Sequence, residues 1–300
     1  MNNRAEKTKS SVVSTLYDVL IVGAGPAGLA TAAETAGAGL KTLILDKLGP
    51  GGALINLGPL QGVPDNAPGP EVVGNMTDDA TAAGAEIGFG EVTKVVPGDP
   101  WTVETADGER HQTRAVVIAT GMNKGRLGVP DEEAWEGRGL SHCASCDGPL
   151  FTGQPVVVAG GDGWAAHEVR ELASLADRVT VVGRGDFSDA SNVTTVAGRI
   201  VALEGGDGLE GVTVEENGAR KSVPANAVFV YLNRAPAAEF VADSLARDAA
   251  GHIVVDKDGA ASKPLAFAVG DVVSGAEESV AQATEGGERV ARAIVARLKS

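Results

Sequence analysis

Only two cysteines, Cys143 and Cys146, occur in this 300-residue chain. Two is too few for the disulfide framework of a small secreted domain, so a reducing cytoplasm is the expected compartment. Aromatic residues make up 4% of the chain, and its core is therefore expected to be aliphatic. Basic residues are in deficit: 25 Lys and Arg against 40 Asp and Glu leave a net charge of −15. A surface of that sign repels phosphate backbones, which removes nucleic acid from the expected partners. No apolar run reaches the ~20 uninterrupted residues of a membrane helix, because the stretch from Val19 is broken by Gly23, Gly25, Pro26 and Gly28. The polar, mixed-charge start, Met1 to Ser14, does not read as a signal peptide and is expected to be a flexible tail.

Glycine is what the chain has in excess, 41 residues, about twice the usual ~7% share and without a three-residue period. Many tight turns and close backbone approaches are expected. At 43% hydrophobic and 22% charged, the sequence is globular and long enough for two domains. Val19-Leu20-Ile21-Val22, an Ala-rich helical stretch from Ala27 to Ala36, and Thr42-Leu43-Ile44-Leu45 form a strand, helix, strand unit. A second such unit runs from Val156-Val157-Val158-Ala159 through Ala165 to Ala176 and on to Val179-Thr180-Val181-Val182. A Gly/Pro-rich loop from Gly49 to Pro70, a helix from Glu71 to Ala83 and strands near Ile87, Trp101 to Thr105 and Ala115 to Ala119 follow the first unit. A strand at Leu265 to Val269 and a helix from Val280 to Leu298 close the chain.

Gly23-Ala24-Gly25-Pro26-Ala27-Gly28 fits G-x-G-x-x-G between a strand and a helix. Gly23 makes the turn, Gly25 admits a pyrophosphate, and Gly28 lets the helix pack tightly on the strand. Asp46 lies 18 residues beyond Gly28 at the end of the next strand, placed for a ribose hydroxyl pair. Elsewhere, Cys143-Ala144-Ser145-Cys146-Asp147 has the C-x-x-C spacing with a carboxylate beside it. A redox pair, a metal site and inert packing are the three readings of that spacing. Metal binding would need a second pair or a His cluster, but His111, His142, His167 and His252 are scattered, so no metal is expected. Packing thiols are not expected in a Gly-flanked turn. His142 is either a tuner of the thiols or an ordinary turn residue.

Taken together, GAGPAGLA from Gly23, GPE at Gly69 to Glu71, ATG at Ala119 to Gly121, the segment LGVPDEEAWEGRGLSHCASCDG ending at Gly148, and FAVGDV from Phe267 resemble the low-molecular-weight thioredoxin reductases and their relatives over about residues 15 to 300. The resemblance implies an α/β fold of two dinucleotide-binding, Rossmann-like domains. The FAD domain is discontinuous, 15–122 and 237–300, and a smaller NAD(P)H-domain-like module, 123–236, carries the cysteines. It implies FAD held by Gly23, Gly25, Pro26, Ala27, Gly28, Asp46, Lys47, Gly52, Ala119, Thr120, Gly121, Gly270 and Asp271, with Asp271 on the ribityl chain. By the same resemblance Cys146 is the thiol next to the flavin, Cys143 the one that exchanges with substrate, Asp147 a general acid, and the molecule a homodimer.

Departures begin in the flavin region, where the family usually has Gly-Gly-Gln against Gly51-Gly52-Ala53 here, and an Asn where Gly62 falls. The second phosphate loop departs further. Read as Gly160-Gly161-Asp162-Gly163-Trp164-Ala165, it puts Asp162 at the middle glycine. A carboxylate ~4 Å from a phosphate charge is repelled by roughly 4 kcal/mol at an effective dielectric of ~20. A register beginning at Ala159 loses the first glycine instead, and one beginning at Gly161 restores the pattern but brings Trp164 into the loop. Where relatives carry a His-Arg-Arg run to grip a 2′-phosphate, this chain has Gly183-Arg184-Gly185-Asp186. The stretch Gly185 to Gly198 is a poor helix former, so the usual crossover helix is expected to be missing before the next strand, Arg199 to Leu203. These features point away from NADPH as the electron source. The expected activity is a thiol–disulfide oxidoreductase fed by a ferredoxin or flavodoxin and acting on a thioredoxin-like protein or a small disulfide. An oxygen-dependent oxidase of a small dithiol, an ordinary NADPH-dependent reductase and a non-catalytic FAD-binding redox sensor are the other readings. Dithiol oxidases typically carry His after the second Cys, so Asp147 favours the reductase type.

Overall fold

The computed structural model describes residues 15–58, 60, 63–161, 165–277 and 279–300. The expected tail, Gly62 and the loop residues Asp162, Gly163 and Trp164 lie outside the described residues. The first sheet begins with β1 (Leu16–Val22), α1 (Pro26–Gly37), β2 (Thr42–Asp46), α2 (Gly69–Ala82) and β3 (Glu86–Phe89). It continues through the antiparallel β4 (Val92–Val96) and β5 (Trp101–Thr105) into β6 (Arg110–Ile118). Strands run β3-β2-β1-β6 in parallel, with β5 on the first half of β6. Val19 to Ile21 and Ala115 to Ile118 are buried, as continuous apolar runs in a parallel sheet covered on both faces must be.

The second sheet is built from β7 (Leu140–Ser141), followed by the short helix α3 (Ala144–Asp147), then β8 (Pro155–Ala159), α4 (Ala165–Leu175), β9 (Arg178–Val182) and β10 (Val193–Val196). An antiparallel sheet of β11 (Arg199–Gly205), β12 (Leu209–Glu216) and β13 (Ala219–Pro224) comes next, and β14 (Ala227–Val230) returns to the second sheet. That sheet has the order β10-β9-β8-β14-β7 and is parallel throughout. α3 and α4 cover one face of it, with Ala144, Val169, Leu172 and Phe187 in the core. The antiparallel sheet covers the other with Ile200, Leu209, Val212 and Val214. This is the layered α/β fold expected. The chain then re-enters the first sheet: β15 (Ala266–Ala268) pairs with the end of β6, and α5 (Val280–Lys299) packs on α1.

The two passages between the sheets run side by side. Asn123 N donates to the Ala235 carbonyl at 2.7 Å, Arg126 N to Leu232 at 3.0 Å, and Ala237 N to Gly121 at 2.9 Å. Two local features differ from expectation. No helix joins β9 to β10, as expected, but Val193–Val196, read with the poor helix formers, is a strand; its β-branched Val-Thr-Thr-Val run suits a pleated edge. The cysteine segment, read as a Gly-flanked turn, is helical, with Gly148 continuing it at φ −52°.

α5 starts at Ser279, whose side chain accepts from Gln282 N at 3.1 Å. It reaches α1 through Gly287, where a Cβ would stand 2.9 Å from that of Ala30 and press on the Ala27 carbonyl. Gly287→Ala is expected to lower stability by ~1–3 kcal/mol through overpacking. A urea midpoint no lower than that of the unsubstituted chain would contradict this.

Candidate active site

β1 ends at Gly23, with φ +105°, and its N–H bonds the Leu45 carbonyl at 2.8 Å. A side chain on Gly23 would overlap Ala119, and one on Gly28 would overlap the Gly23 carbonyl. Gly25 is different: a Cβ there would meet nothing within 4 Å. The open side of Gly25 faces the start of α1, where no side chain caps the helix and no acid occupies the first turn. Free helix N–H groups beside an open glycine fit the pyrophosphate of FAD. Gly52, at φ +53°, brings the following loop within reach, its Cβ position 3.2 Å from Gly25 Cα. Gly270, at φ +78°, sits with its Cβ position 3.0 Å from that of Ala27, which places Asp271 at the same helix start. Ala119 underlies Gly23 and Gly28, Thr120 Oγ1 donates to the Ala237 carbonyl at 2.6 Å, and Lys47 is exposed.

Asp46 does more than the sequence shows. Its Oδ2 accepts Ala24 N at 2.9 Å, while Oδ1 accepts Leu48 N at 2.9 Å and Gly49 N at 3.1 Å. The carboxylate ties the phosphate loop to the loop after β2. Its remaining acceptor capacity is what it can offer a ribose.

The second sheet repeats the strand-end geometry. Gly160, at φ +94°, donates to the Val182 carbonyl at 3.0 Å, as Gly23 does to Leu45. Gly160 therefore corresponds to Gly23, and in sequence Asp162 stands where Gly25 stands. By the same match Gly183 replaces Asp46. Beyond it, the Arg184 carbonyl lies where a Cβ on Gly161 would be, and the Phe187 ring is 3.4 Å from that point. Phe187 is buried, with Arg170 over its ring at 5.6 Å and Arg170 Nε 3.4 Å from Asp189. This loop packs through Phe187 into the core formed with α4 and β9, and Arg184 is exposed.

Cys143 and Cys146 form a disulfide, with Cα atoms 5.4 Å apart. Cys143 caps α3, its Sγ accepting Cys146 N at 3.0 Å, and after reduction that N–H favours a Cys143 thiolate. Ser141, buried at the end of β7, donates to Asp147 Oδ2 at 2.6 Å and accepts Cys143 N at 3.1 Å. It fixes the carboxylate beside the pair. Cys146, the thiol that the resemblance puts next to the flavin, is exposed, and Cys143 is half-buried. Ala144, Ser145 and Asp147 direct their hydrogen bonds to residues between 141 and 171, all within the second unit. His142 is tied back, Nδ1 3.3 Å from the Val230 carbonyl, and burial holds its pKa below the ordinary value, which keeps the ring neutral. Among the described residues no cluster of His, Cys, Asp and Glu could hold a metal ion.

Glu168 and Tyr231 were not singled out from sequence. Glu168 Oε2 accepts Ala144 N at 3.0 Å and the Tyr231 hydroxyl at 2.7 Å. The legible signal was Glu168 on the apolar stripe of α4 with Ala165, Val169 and Leu172. Burial raises its pKa above 4.5, Glu171 adds to this, and the Ala144 and Tyr231 donors oppose it. Between ~4.3, where the unfolded chain loses its proton, and the raised native value, the folded chain holds one proton more than the unfolded. The stabilisation is complete below that pH and disappears as pH rises through the raised native value. Glu168→Gln, which keeps both acceptor contacts, is expected to remove this decline; urea titrations from pH 4 to 8 that fall in parallel for both proteins would contradict it.

The chain matches the pyridine nucleotide-disulphide oxidoreductase family over residues 17–287. It is 33% identical over 291 residues to the thioredoxin reductase of Listeria monocytogenes, covering 91% of each chain. Among solved structures it is similar to Lactococcus lactis thioredoxin reductase in the FR conformation, with TM-score 0.87 and 30% identity over 94% of this chain and 99% of that one. It is also similar to T. acidophilum thioredoxin reductase, with TM-score 0.86 and 28% identity over 95% and 99%. Among the described residues no helix is long and apolar enough to cross a membrane. The chain therefore belongs to the pyridine nucleotide-disulphide oxidoreductase family, as a thioredoxin-reductase-like FAD oxidoreductase acting on sulfur groups.

Proposed function

We propose that this protein is a thiol–disulfide oxidoreductase in which Cys143 and Cys146 cycle between disulfide and dithiol, and that NADPH is not its electron source. The observation that carries the second statement is the loop after β9. Its Arg184 carbonyl and Phe187 ring lie against Gly161, at the junction of phosphate loop and strand end where a dinucleotide's adenosine half binds in this fold. Asp162 in the glycine position and the exposed, solitary Arg184 support the same reading. A ferredoxin or flavodoxin is the proposed donor. A thioredoxin-like disulfide is the proposed substrate, in keeping with the names of the relatives.

FAD supplies two-electron redox chemistry when bound. The FAD unit comprises 15–122 and 237–300 and the cysteine unit 123–236. Cys143 attacks the substrate disulfide as thiolate, Cys146 resolves the mixed disulfide, and Asp147, oriented by Ser141, moves the proton. The cysteine unit is joined to the first unit by the paired segments 121–126 and 232–237, about which it can turn to present the pair to the flavin or to substrate. A homodimer in the cytoplasm is the proposed setting.

The relatives' names favour a second reading, an ordinary NADPH-dependent thioredoxin reductase. Anaerobic titration of the yellow protein with NADPH, NADH and dithiothreitol separates the two. The dithiol alone is expected to bleach the flavin, whereas rapid bleaching by stoichiometric NADPH would establish the second reading. Cys146→Ser is expected to keep bound flavin and lose disulfide turnover to background. Unchanged turnover would mean that the pair is not the redox site.

A further inference from the structure

Among the described residues Glu168 is the only charged side chain that is buried, at 1% exposure. The exchange chemistry above makes no use of it. Stability does not call for it either, since a glutamine could accept from the same two donors and a buried carboxyl is costly when ionised. Both donors bond Oε2, one of them the N–H of Ala144, which lies between the two cysteines. Oε1 has no hydrogen-bond partner among the described residues. With both donors on Oε2, the empty Oε1 is where a proton taken up by the carboxyl can sit.

We propose that Glu168 is a positioning residue that ties the redox state of the cysteines to a proton: it binds one when the Cys143–Cys146 disulfide is reduced and releases it when the disulfide re-forms. The proposal rests on the reading of Cys143 and Cys146 as a cycling pair. With a dithiol as reductant, the S–S bond breaks and the dithiol closes to its own disulfide, giving up two electrons and two protons. One cysteine sulfur takes a proton as S–H, the other stays thiolate, and the second proton goes to Glu168. The driving force is repulsion. Cys143 Sγ accepts Cys146 N and Glu168 Oε2 accepts Ala144 N, two N–H groups of the same short helix. A thiolate and a carboxylate held by one helix at the edge of an apolar core disfavour each other, so charge on sulfur draws a proton to the carboxyl.

The surroundings set the pH range. On α4, Glu171 raises the proton affinity of Glu168 and His167 lowers it. From β14, the Tyr231 hydroxyl favours the carboxylate and stays protonated itself, its pKa pushed up by burial and by Glu168. From α3 come Asp147, held by Ser141, and the two sulfurs. β8 contributes only apolar side chains, and β9 presents Val179 and Val181 with Arg178 at its exposed start.

The test uses the FAD-loaded full chain in dithiothreitol redox buffers from pH 6 to 9, with the cysteines trapped and counted by mass. Dithiothreitol gives up two protons below its own thiol pKa, so the exchange constant changes about tenfold per pH unit for each proton by which the protein's uptake differs from two. Above the pH at which one cysteine is a thiolate, the unsubstituted protein is expected to show a constant independent of pH over the range where Glu168 takes up its proton. Glu168→Gln is expected to show one that rises about tenfold per unit there. Tyr231→Phe, which removes a bond favouring the carboxylate, is expected to displace that range upward. A redox-difference infrared spectrum of the unsubstituted protein is expected to gain a protonated carboxyl band on reduction, so the inference is tested even if a variant does not fold. Coincident pH profiles, or no new carboxyl band, would overturn the role of Glu168 and leave the cycling pair intact. A disulfide that cannot be reversibly reduced in the unsubstituted protein would overturn both.

Discussion

The end of a parallel strand is the constraint on which both sites depend. In each sheet a glycine of positive φ terminates the inner strand and hands its N–H to the neighbouring strand's carbonyl, Gly23 to Leu45 and Gly160 to Val182. That bond fixes where the next residues of the loop must go. It also fixes which residue of the neighbouring strand faces them, Asp46 in one sheet and Gly183 in the other. A side chain at Gly23 would strike Ala119 in the first sheet, so the tight turn is enforced by backbone packing as well as by conformation.

From this shared frame the two loops diverge. In the first, Ala24 is buried and Asp46 reaches across to its amide, next to the open side of Gly25. In the second, Gly161 occupies the matching position and has no room for a Cβ, because the Arg184 carbonyl beyond β9 and the Val181 side chain within it both stand there. Phe187 anchors this connection. With no helix between β9 and β10, a single aromatic side chain fills the space against α4 and β9, and Arg170 closes over it. The short connection thereby sets its backbone against Gly161.

The sequence carried the parallel architecture because buried parallel strands are written as uninterrupted apolar runs, such as Val156 to Ala159 and Val179 to Val182. The first phosphate loop was legible for a similar reason: Gly23 and Gly28 each leave no room for a side chain, and Gly25 leaves its side open. The missing crossover helix was legible in Gly185 to Gly198. What escaped was set by tertiary partners. Val193–Val196 becomes a strand because the open edge of β9 is there to receive it. Ser141 and Tyr231 acquire roles through residues 6 and 63 positions away in the chain, Asp147 and Glu168, a distance that no local pattern spans. Glu168 was visible as an acid on an apolar stripe, but its meaning depends on α3 crossing over it.

α4 has a second task in this sheet. In a dinucleotide fold the start of such a helix serves the nucleotide. Here the first turn of α4 also carries Glu168 beneath Ala144, and its next turn carries Glu171, which accepts the Ser145 hydroxyl at 2.8 Å. The cysteine turn is therefore built on α4, and α4 is held by β8, β9 and Phe187. Melting α4 would release the disulfide from its support. The sheet, the helix and the loop that covers them thus form the base on which the cysteine segment rests.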